Sequence, residues 1–341
     1  HALGAMHLMG LAIENLRYKG HEITELEALS AQAAILLHDI GHGPFSHALE
    51  SSIVPGLHHE QLSLLFMQEL NRQFGGKLGM TIEIFTGKYH KHFLHQLVSS
   101  QLDVDRLDYL NRDSFYTGVA EGTVGSDRII KMMEVVNGEL VLEEKGIYSI
   151  DKFLLARRLM YWQVYLHKTV LSAENLLSNM LRRAKYLVQK GEVVFATKSL
   201  MYFLEHTISS PSESIDEELL ERFAHLDDYD IFASAKEWMT HSDKILSELS
   251  TRLIERKLLK IRLDVQPFDA AEVDALSQKW QSKGFSKVEA DYFVFTGGIT
   301  NSAYKDGEEK INILLKTGKV LEIREASDQL RMSVLSESTR K

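Results

Sequence analysis

The sequence predicts a mainly α fold, a helical bundle followed by a small C-terminal α+β domain, and three observations lead there. Apolar residues recur at helical spacing through most of residues 1 to 250. Only four prolines interrupt a chain of 341 residues. From Lys260 onward the pattern changes to short alternating runs around one further helix. The expected division is residues 1–190 as the main helical domain, 191–258 as a helical extension and 259–341 as the α+β domain.

Taken in order, Thr24 and Glu27 have capping-box spacing, and Leu26, Leu29, Ala33, Leu36 and Leu37 then keep a helical period until Gly41 offers a stop. The pair His38-Asp39 therefore falls at a helix end. Residues 41–58 hold Gly41, Gly43, Pro44, Pro55 and Gly56 and read as a connection, with a short helix near Ser46 to Ser52; Leu62 to Phe74 is helical again. Phe93 through Asp113 reads as one helix on Leu94, Leu97, Val98, Leu102, Leu107 and Leu110, and residues 116–127, with Gly118, Gly122 and Gly125, as a loop. A small hairpin is expected between Glu139 and Ile150, around Lys145-Gly146. A long helix from Ile150 to about Lys190 follows, then further helices to about Lys257. In the tail Ile261, Leu263 and Val265 alternate, Ala270 to Lys283 is helical, and Tyr292 to Thr296 and Ile311 to Ile323 read as strands, the latter turning at Thr317-Gly318.

Composition narrows the chemistry. Cysteine is absent, so disulfides, thiolate zinc sites, iron–sulfur clusters and a cysteine nucleophile are excluded, and any metal must sit among His, Asp and Glu. A reducing cytoplasm is the expected compartment. No apolar run reaches the ~18 uncharged residues of a membrane-spanning helix, so no membrane partner is expected. A net charge of -9 opposes binding to nucleic acid and leaves room for a small anion met by locally concentrated cations. The chain opens on His1-Ala2-Leu3-Gly4 already in helical register, which reads as the inside of a longer protein rather than as a signal peptide.

Eleven of the 15 histidines fall within residues 1 to 95. The sharpest segment is His38-Asp39-Ile40-Gly41-His42-Gly43-Pro44-Phe45-Ser46-His47. An imidazole and a carboxylate on adjacent residues reach one metal only where the backbone leaves the regular helical path, which the glycines permit. Further on, Asp105, Tyr109 and Asp113 follow i, i+4, i+8 and share one helical face. That face is oddly polar for a helix apolar elsewhere. Asp103 and Asp108 fit a solvated face better than Asp105 does.

These strings, together with His59-Glu60-Gln61, Arg112-Asp113 and Tyr165-Leu166-His167-Lys168, resemble the HD-domain metal-dependent phosphohydrolases, whose signature is H…HD…D. Within that superfamily the resemblance is to the dNTP triphosphohydrolases, both the sterile-alpha-motif and HD-domain type and the bacterial dGTPase-like enzymes. It implies an HD-domain helical bundle holding one divalent ion, Fe, Mn, Ni, Zn, Co or Mg, on His1, His38, Asp39 and Asp105. Two imidazoles and two carboxylates form a mixed nitrogen and oxygen site that leaves positions open for water and a phosphoryl oxygen.

The resemblance further implies that His59 or His47 protonates the departing oxygen, that Glu50 orients such a histidine, and that His42 meets phosphate. Arg106 stands where the subgroup more often has Lys, beside Asp105, and is placed to meet an α-phosphate. Arg157, Tyr161, Tyr165 and Lys168 follow i, i+4, i+8, i+11 along one predicted helix face. The resemblance assigns Arg157 and Lys168 to the outer phosphates, Tyr165 to the base or sugar, Tyr109 to the ribose and Asp113 to its 3′-hydroxyl, while Tyr161 reads as core. The expected function is hydrolysis of a dNTP to a deoxynucleoside and tripolyphosphate by a homo-oligomer, a dimer or larger. Two alternatives stay open: the same metal chemistry on a monophosphate, an alarmone or a cyclic nucleotide, and a nucleotide-sensing or nucleic-acid-binding module with a structural metal.

Overall fold

The structure, a computed structural model, describes residues 1–46, 52, 58–208, 217–301, 304, 309–328 and 339–340. It is mainly helical, with 16 helices among the described residues and one small four-stranded sheet. The chain divides into two compact units that do not follow the linear boundaries the sequence suggests. Residues 1–40, 66–165 and 300–339 form one, and residues 41–65, 166–299 and 340–341 the other. Helix α3, His59–Gln73, runs from the second unit into the first.

In the first unit, α1 (Ala2–Tyr18) packs on α2 (Glu25–Leu37). The Thr24 capping box forms as expected, its hydroxyl accepting from Glu27 N while the Glu27 carboxylate accepts from Thr24 N. The buried face of α2 is not the leucine row. Ala28, Ala31, Ala34 and Ile35 face Ala5, Met9, Ala12 and Leu16 in the core, while Leu26 and Leu29 lie exposed. Small side chains on the inner face let two helix backbones approach closely, so the larger leucines stay outside.

The expected single helix over Phe93–Asp113 is two, α5 (His92–Val98) and α6 (Val104–Thr117); α4 (Gly79–Phe85) precedes them. The break lies at Asp103, whose carboxylate caps α6 by accepting from Arg106 N at 2.8 Å. After α7 (Ser126–Met132) comes the hairpin of β1 (Met133–Val136) and β2 (Glu139–Glu143). It turns at Asn137-Gly138, not at Lys145-Gly146, because both residues there take positive φ, 54° and 83°, the twist a two-residue hairpin requires.

The expected helix from Ile150 to Lys190 is interrupted. α8 (Ile147–Met160) winds into a π-helical turn over Tyr161–Tyr165, and α9 (Lys168–Gln189) starts anew behind His167, whose side chain caps it.

The tail divides between the units. The alternating residues 261–265 and 292–296 form no strand, and β3 (Thr300–Asn301) lies outside the four-stranded sheet. The expected turn at Thr317-Gly318 does form, joining β4 (Asn312–Leu314) antiparallel to β5 (Val320–Glu322). β4 also pairs in parallel with β2, Leu142 opposite Ile313, so the strands complete the first unit rather than a separate domain, and α16 (Ile323–Ala326) closes them.

The second unit adds α10 (Lys198–Glu205), α11 (Glu217–Ala224), α12 (Asp228–Trp238), α13 (Lys244–Ile254), α14 (Ala270–Gln281) and α15 (Lys287–Ala290). Its core includes Met180, Phe203, Trp238 and Leu249. Among the described residues no helix is long and apolar enough to cross a membrane.

Candidate metal centre

His38 is the C-cap of α2. Its Nδ1–H donates to Ile35 O at 2.6 Å, which fixes the ring and turns Nε2 away from the helix. Nε2 lies 3.3 Å from Asp39 Oδ2 and 3.6 Å from Asp105 Oδ1. Asp105 arrives from the first turn of α6, held there by the Asp103 cap. Ligand atoms of His38, Asp39 and Asp105 all lie within 4.8 Å of one another, the one such group among the described residues.

Two observations test whether these residues fit a cation. Asp105 Oδ1 is fully buried and has no hydrogen-bond partner, a costly state for a carboxylate oxygen that a bound cation relieves. Burial alone would depress the His38 pKa, but the Asp105 and Asp39 carboxylates outweigh it and raise it to about 9. The pocket therefore favours positive charge. One imidazole nitrogen and two carboxylates balance a divalent ion and suit Mn, Fe, Co, Ni or Zn.

The structure does not gather His1 into this group. Its ring sits beyond the start of α1, with Nδ1 3.5 Å from Asp108 Oδ2 and Nε2 3.3 Å from Asp113 Oδ1, drawn by two carboxylates on α6. Asp103 and Asp108, expected on a solvated face, are both buried. Asp103 is ion-paired with Arg106, and Asp108 takes two hydrogen bonds from Arg112 at 2.7 and 2.8 Å. Sequence reading missed Asp103 as the buried partner of Arg106; its i, i+3 spacing to Arg106 was the available signal.

Arg106 keeps its Nε–H buried without a hydrogen-bond partner. Arg157 is buried on α8. Tyr109, Tyr161 and Tyr165 form an aromatic wall in which Tyr165 meets Tyr109 edge-on at 6.1 Å and Tyr161 at 5.2 Å. The Tyr165 hydroxyl donates to Asp113 Oδ2 at 2.7 Å. Burial and that carboxylate push the hydroxyl pKa up, and burial raises Asp113 as well. The predicted face through Arg157, Tyr161, Tyr165 and Lys168 is not continuous, because the π-turn shifts the register and Lys168 belongs to the next helix, where it is exposed.

In the second unit the structure brings His42 and His59 together, their rings stacked at 4.0 Å and 16°. His42 Nδ1 also pairs with Ser46 Oγ. Gly41 N donates to Ser63 Oγ at 2.9 Å, and a Cβ on Gly41 would fall 2.2 Å from His59 O and 2.4 Å from Ser63 N. Close approach, not positive φ, is what glycine supplies here. His47 and Glu50 lie outside the described residues, as does most of the short helix expected over Ser46–Ser52.

Comparison with known proteins shows the family. Residues 1–113 match the HD domain family and residues 124–210 the HD associated region. A phosphohydrolase structure from Bacteroides thetaiotaomicron VPI-5482 superposes with a TM-score of 0.94 at 49% identity, covering 100% of this chain and 85% of that one. The uncharacterized protein YwfO of Bacillus subtilis is 30% identical over 96% of this chain and 76% of its own length. A Dictyostelium discoideum homologue of the deoxynucleoside triphosphate triphosphohydrolase SAMHD1 is 29% identical over 54% of this chain, which spans 39% of that protein. With its His-Asp pair, distant aspartate and helical scaffold, the chain belongs to the HD-domain phosphohydrolase superfamily, near the dNTP triphosphohydrolases.

Proposed function

We propose that this phosphohydrolase acts on deoxynucleoside triphosphates, releasing the deoxynucleoside and tripolyphosphate, at a centre held by His38, Asp39 and Asp105, which His1 joins as fourth ligand by turning its ring away from Asp108 and Asp113. The observation that carries the reading is the convergence of His38 Nε2 with the Asp39 and Asp105 carboxylates, where Asp105 Oδ1 is buried without a hydrogen bond. A divalent ion bound there supplies Lewis acidity toward a phosphoryl oxygen and the attacking water.

The other assignments follow from side-chain chemistry. Arg106 offers its charge and its Nε–H to the α-phosphate, and Arg157 and Lys168 offer their charges to the outer phosphates. Water adds at the α-phosphorus, the bond to the 5′-oxygen breaks, and that oxygen takes its proton from His59 or His47, with Glu50 orienting the donor and His42 on phosphate. Tyr109 and Tyr165 receive the sugar and base, and Asp113 accepts from the 3′-hydroxyl. The raised Asp113 and Tyr165 pKa values fit a water-poor wall beside a sugar.

The test is product identity. Purified chain loaded in turn with Mn, Fe, Co, Ni, Zn and Mg is given the four dNTPs, the ribonucleotides, monophosphates, an alarmone and cyclic nucleotides. Deoxynucleoside and tripolyphosphate in equal amounts from a dNTP is the expected result. Hydrolysis of only the other nucleotides would replace the substrate, and no hydrolysis with any metal would remove the enzymatic reading.

A further inference from the structure

We infer that Ser63 is a positioning residue for the histidine pair His42 and His59, an inference that rests on the phosphohydrolase reading above. The two imidazoles come from different segments, His42 from the connection after α2 and His59 from the first residue of α3, 17 positions on. They nonetheless stack nearly parallel at 4.0 Å. Such a stack needs the two backbones to be held at a fixed and short separation.

The residue that does so is one turn along α3 from His59. Ser63 is completely buried, and its Oγ accepts from the amide of Gly41, the residue directly before His42. The fit at this point is tight enough that a Cβ on Gly41 would collide with His59 O, Ser63 N and Leu62 Cβ, the last at 2.8 Å. Backbone 41 is thus clasped to the turn of helix that carries His59, through a hydrogen bond that sequesters an amide with little room for water to replace the hydroxyl. Farther along the same loop, Phe45 takes a left-handed φ of 53° that only a firmly held non-glycine residue sustains. Its ring meets Phe232 of α12 edge-on at 5.5 Å. His42 is therefore fixed from both sides, by Ser63 before it and by the Phe45 anchor after it, and Ser46 sets its ring through Nδ1.

Ser63 itself carries no ring or charge, and its full burial keeps its hydroxyl from a substrate. Its role is to keep His42 and His59 in register, and a displacement of about 1 Å between groups that act on one phosphoryl group costs on the order of 100-fold in rate.

The experiment pairs two readouts on the full metal-loaded chain, using Ser63→Ala and the hydroxyl-retaining Ser63→Thr. The first is the ring-current displacement of the His42 imidazole resonances, assigned by its disappearance in His59→Ala. The second is kcat and KM for dNTP hydrolysis, with metal content measured alongside. Ser63→Ala is expected to lose the displacement and to lower kcat about 30- to 100-fold, with KM changed less than about 3-fold and metal content unchanged, while Ser63→Thr keeps both signals. An unchanged displacement or an unchanged kcat in Ser63→Ala overturns the inference, as does a rate loss in Ser63→Thr equal to that in Ser63→Ala. If the wild type hydrolyses no dNTP, the substrate reading has failed on its own, and the resonances still decide whether Ser63 holds the pair. Should Ser63→Ala fail to fold, Ser63→Thr decides: a retained displacement and rate support the clasp, and their loss overturns it.

Discussion

Glu27 shows how much a single side chain does in the first unit. Its buried carboxylate accepts from Thr24 N at 2.7 Å, from the Tyr89 hydroxyl at 2.7 Å and from Lys91 Nζ at 2.8 Å. Burial works to raise its pKa, yet Lys91, Thr24 and Tyr89 together hold it down at about 2 against an ordinary 4.5. Because the folded pKa lies below the unfolded one, the stabilisation is complete above about pH 4.5 and is lost as pH falls toward 2. Its size is of order 3 kcal/mol. Acid titration of stability, followed by denaturant midpoints, is expected to lose this increment in the wild type over that window. Glu27→Gln should already lack most of it at pH 7 and titrate more flatly. Only the capping half of this network was legible in the sequence, as Thr24-x-x-Glu27; Tyr89 and Lys91 lie more than 60 residues away and become neighbours only when α2 packs on α4 and α5.

At the scale of the element, α2 shows why periodicity located helices correctly and assigned one face wrongly. Leucines every three or four residues give a clear helical period, but a helix pressed against another buries the side chains that permit close approach. In α2 those are Ala28, Ala31 and Ala34. Leu29→Lys is accordingly expected to cost less than about 0.5 kcal/mol in urea unfolding, as an exposed substitution does. Ala31→Leu is expected to cost about 1–3 kcal/mol through overpacking. The reverse order would mean that the leucine row faces the core. Two other departures have similarly local causes. Asp103 cuts one expected helix into two because its side chain prefers capping to continuing, and the π-turn at Tyr161–Tyr165 breaks another where the aromatic wall is built. Neither event changes the apolar period enough to announce itself.

At the scale of the whole molecule, the fold class was legible and the connectivity was not. The strands at 312–322 were readable as a hairpin, yet which unit they complete depends on the free edge of β2, some 170 residues earlier. Tyr304, Ile311, Ile313 and Ile323 all belong to the core cluster that also contains α1, α2 and α6. Burial of each such side chain contributes about 1.5–3 kcal/mol, together comparable with the 5–15 kcal/mol stability of an entire domain. A chain ended at residue 299 should therefore lose cooperative unfolding or fail to stay in solution, whereas an unaltered melting transition would show residues 300–339 to be dispensable to the first unit.

The candidate centre was legible for a related reason. His38 and Asp39 are adjacent, and Asp105 stands in a string that matches the family signature, so the resemblance marked the positions that the fold brings within 4.8 Å of one another. What the sequence left out is the local support: Asp103 behind Arg106, Ile35 O behind His38, and Ser63 behind Gly41. These are ordinary residues made specific by contact. The reading as a whole turns on whether His38, Asp39 and Asp105 hold a divalent ion, and the most direct measurement is elemental analysis of wild type and Asp105→Asn after equilibration with Mn and removal of excess. Asp105→Asn keeps the shape of the side chain and removes the charge that faces His38. The wild type should retain one ion per chain and the variant almost none, while circular dichroism shows both folded; equal metal content in the two proteins would contradict the assignment.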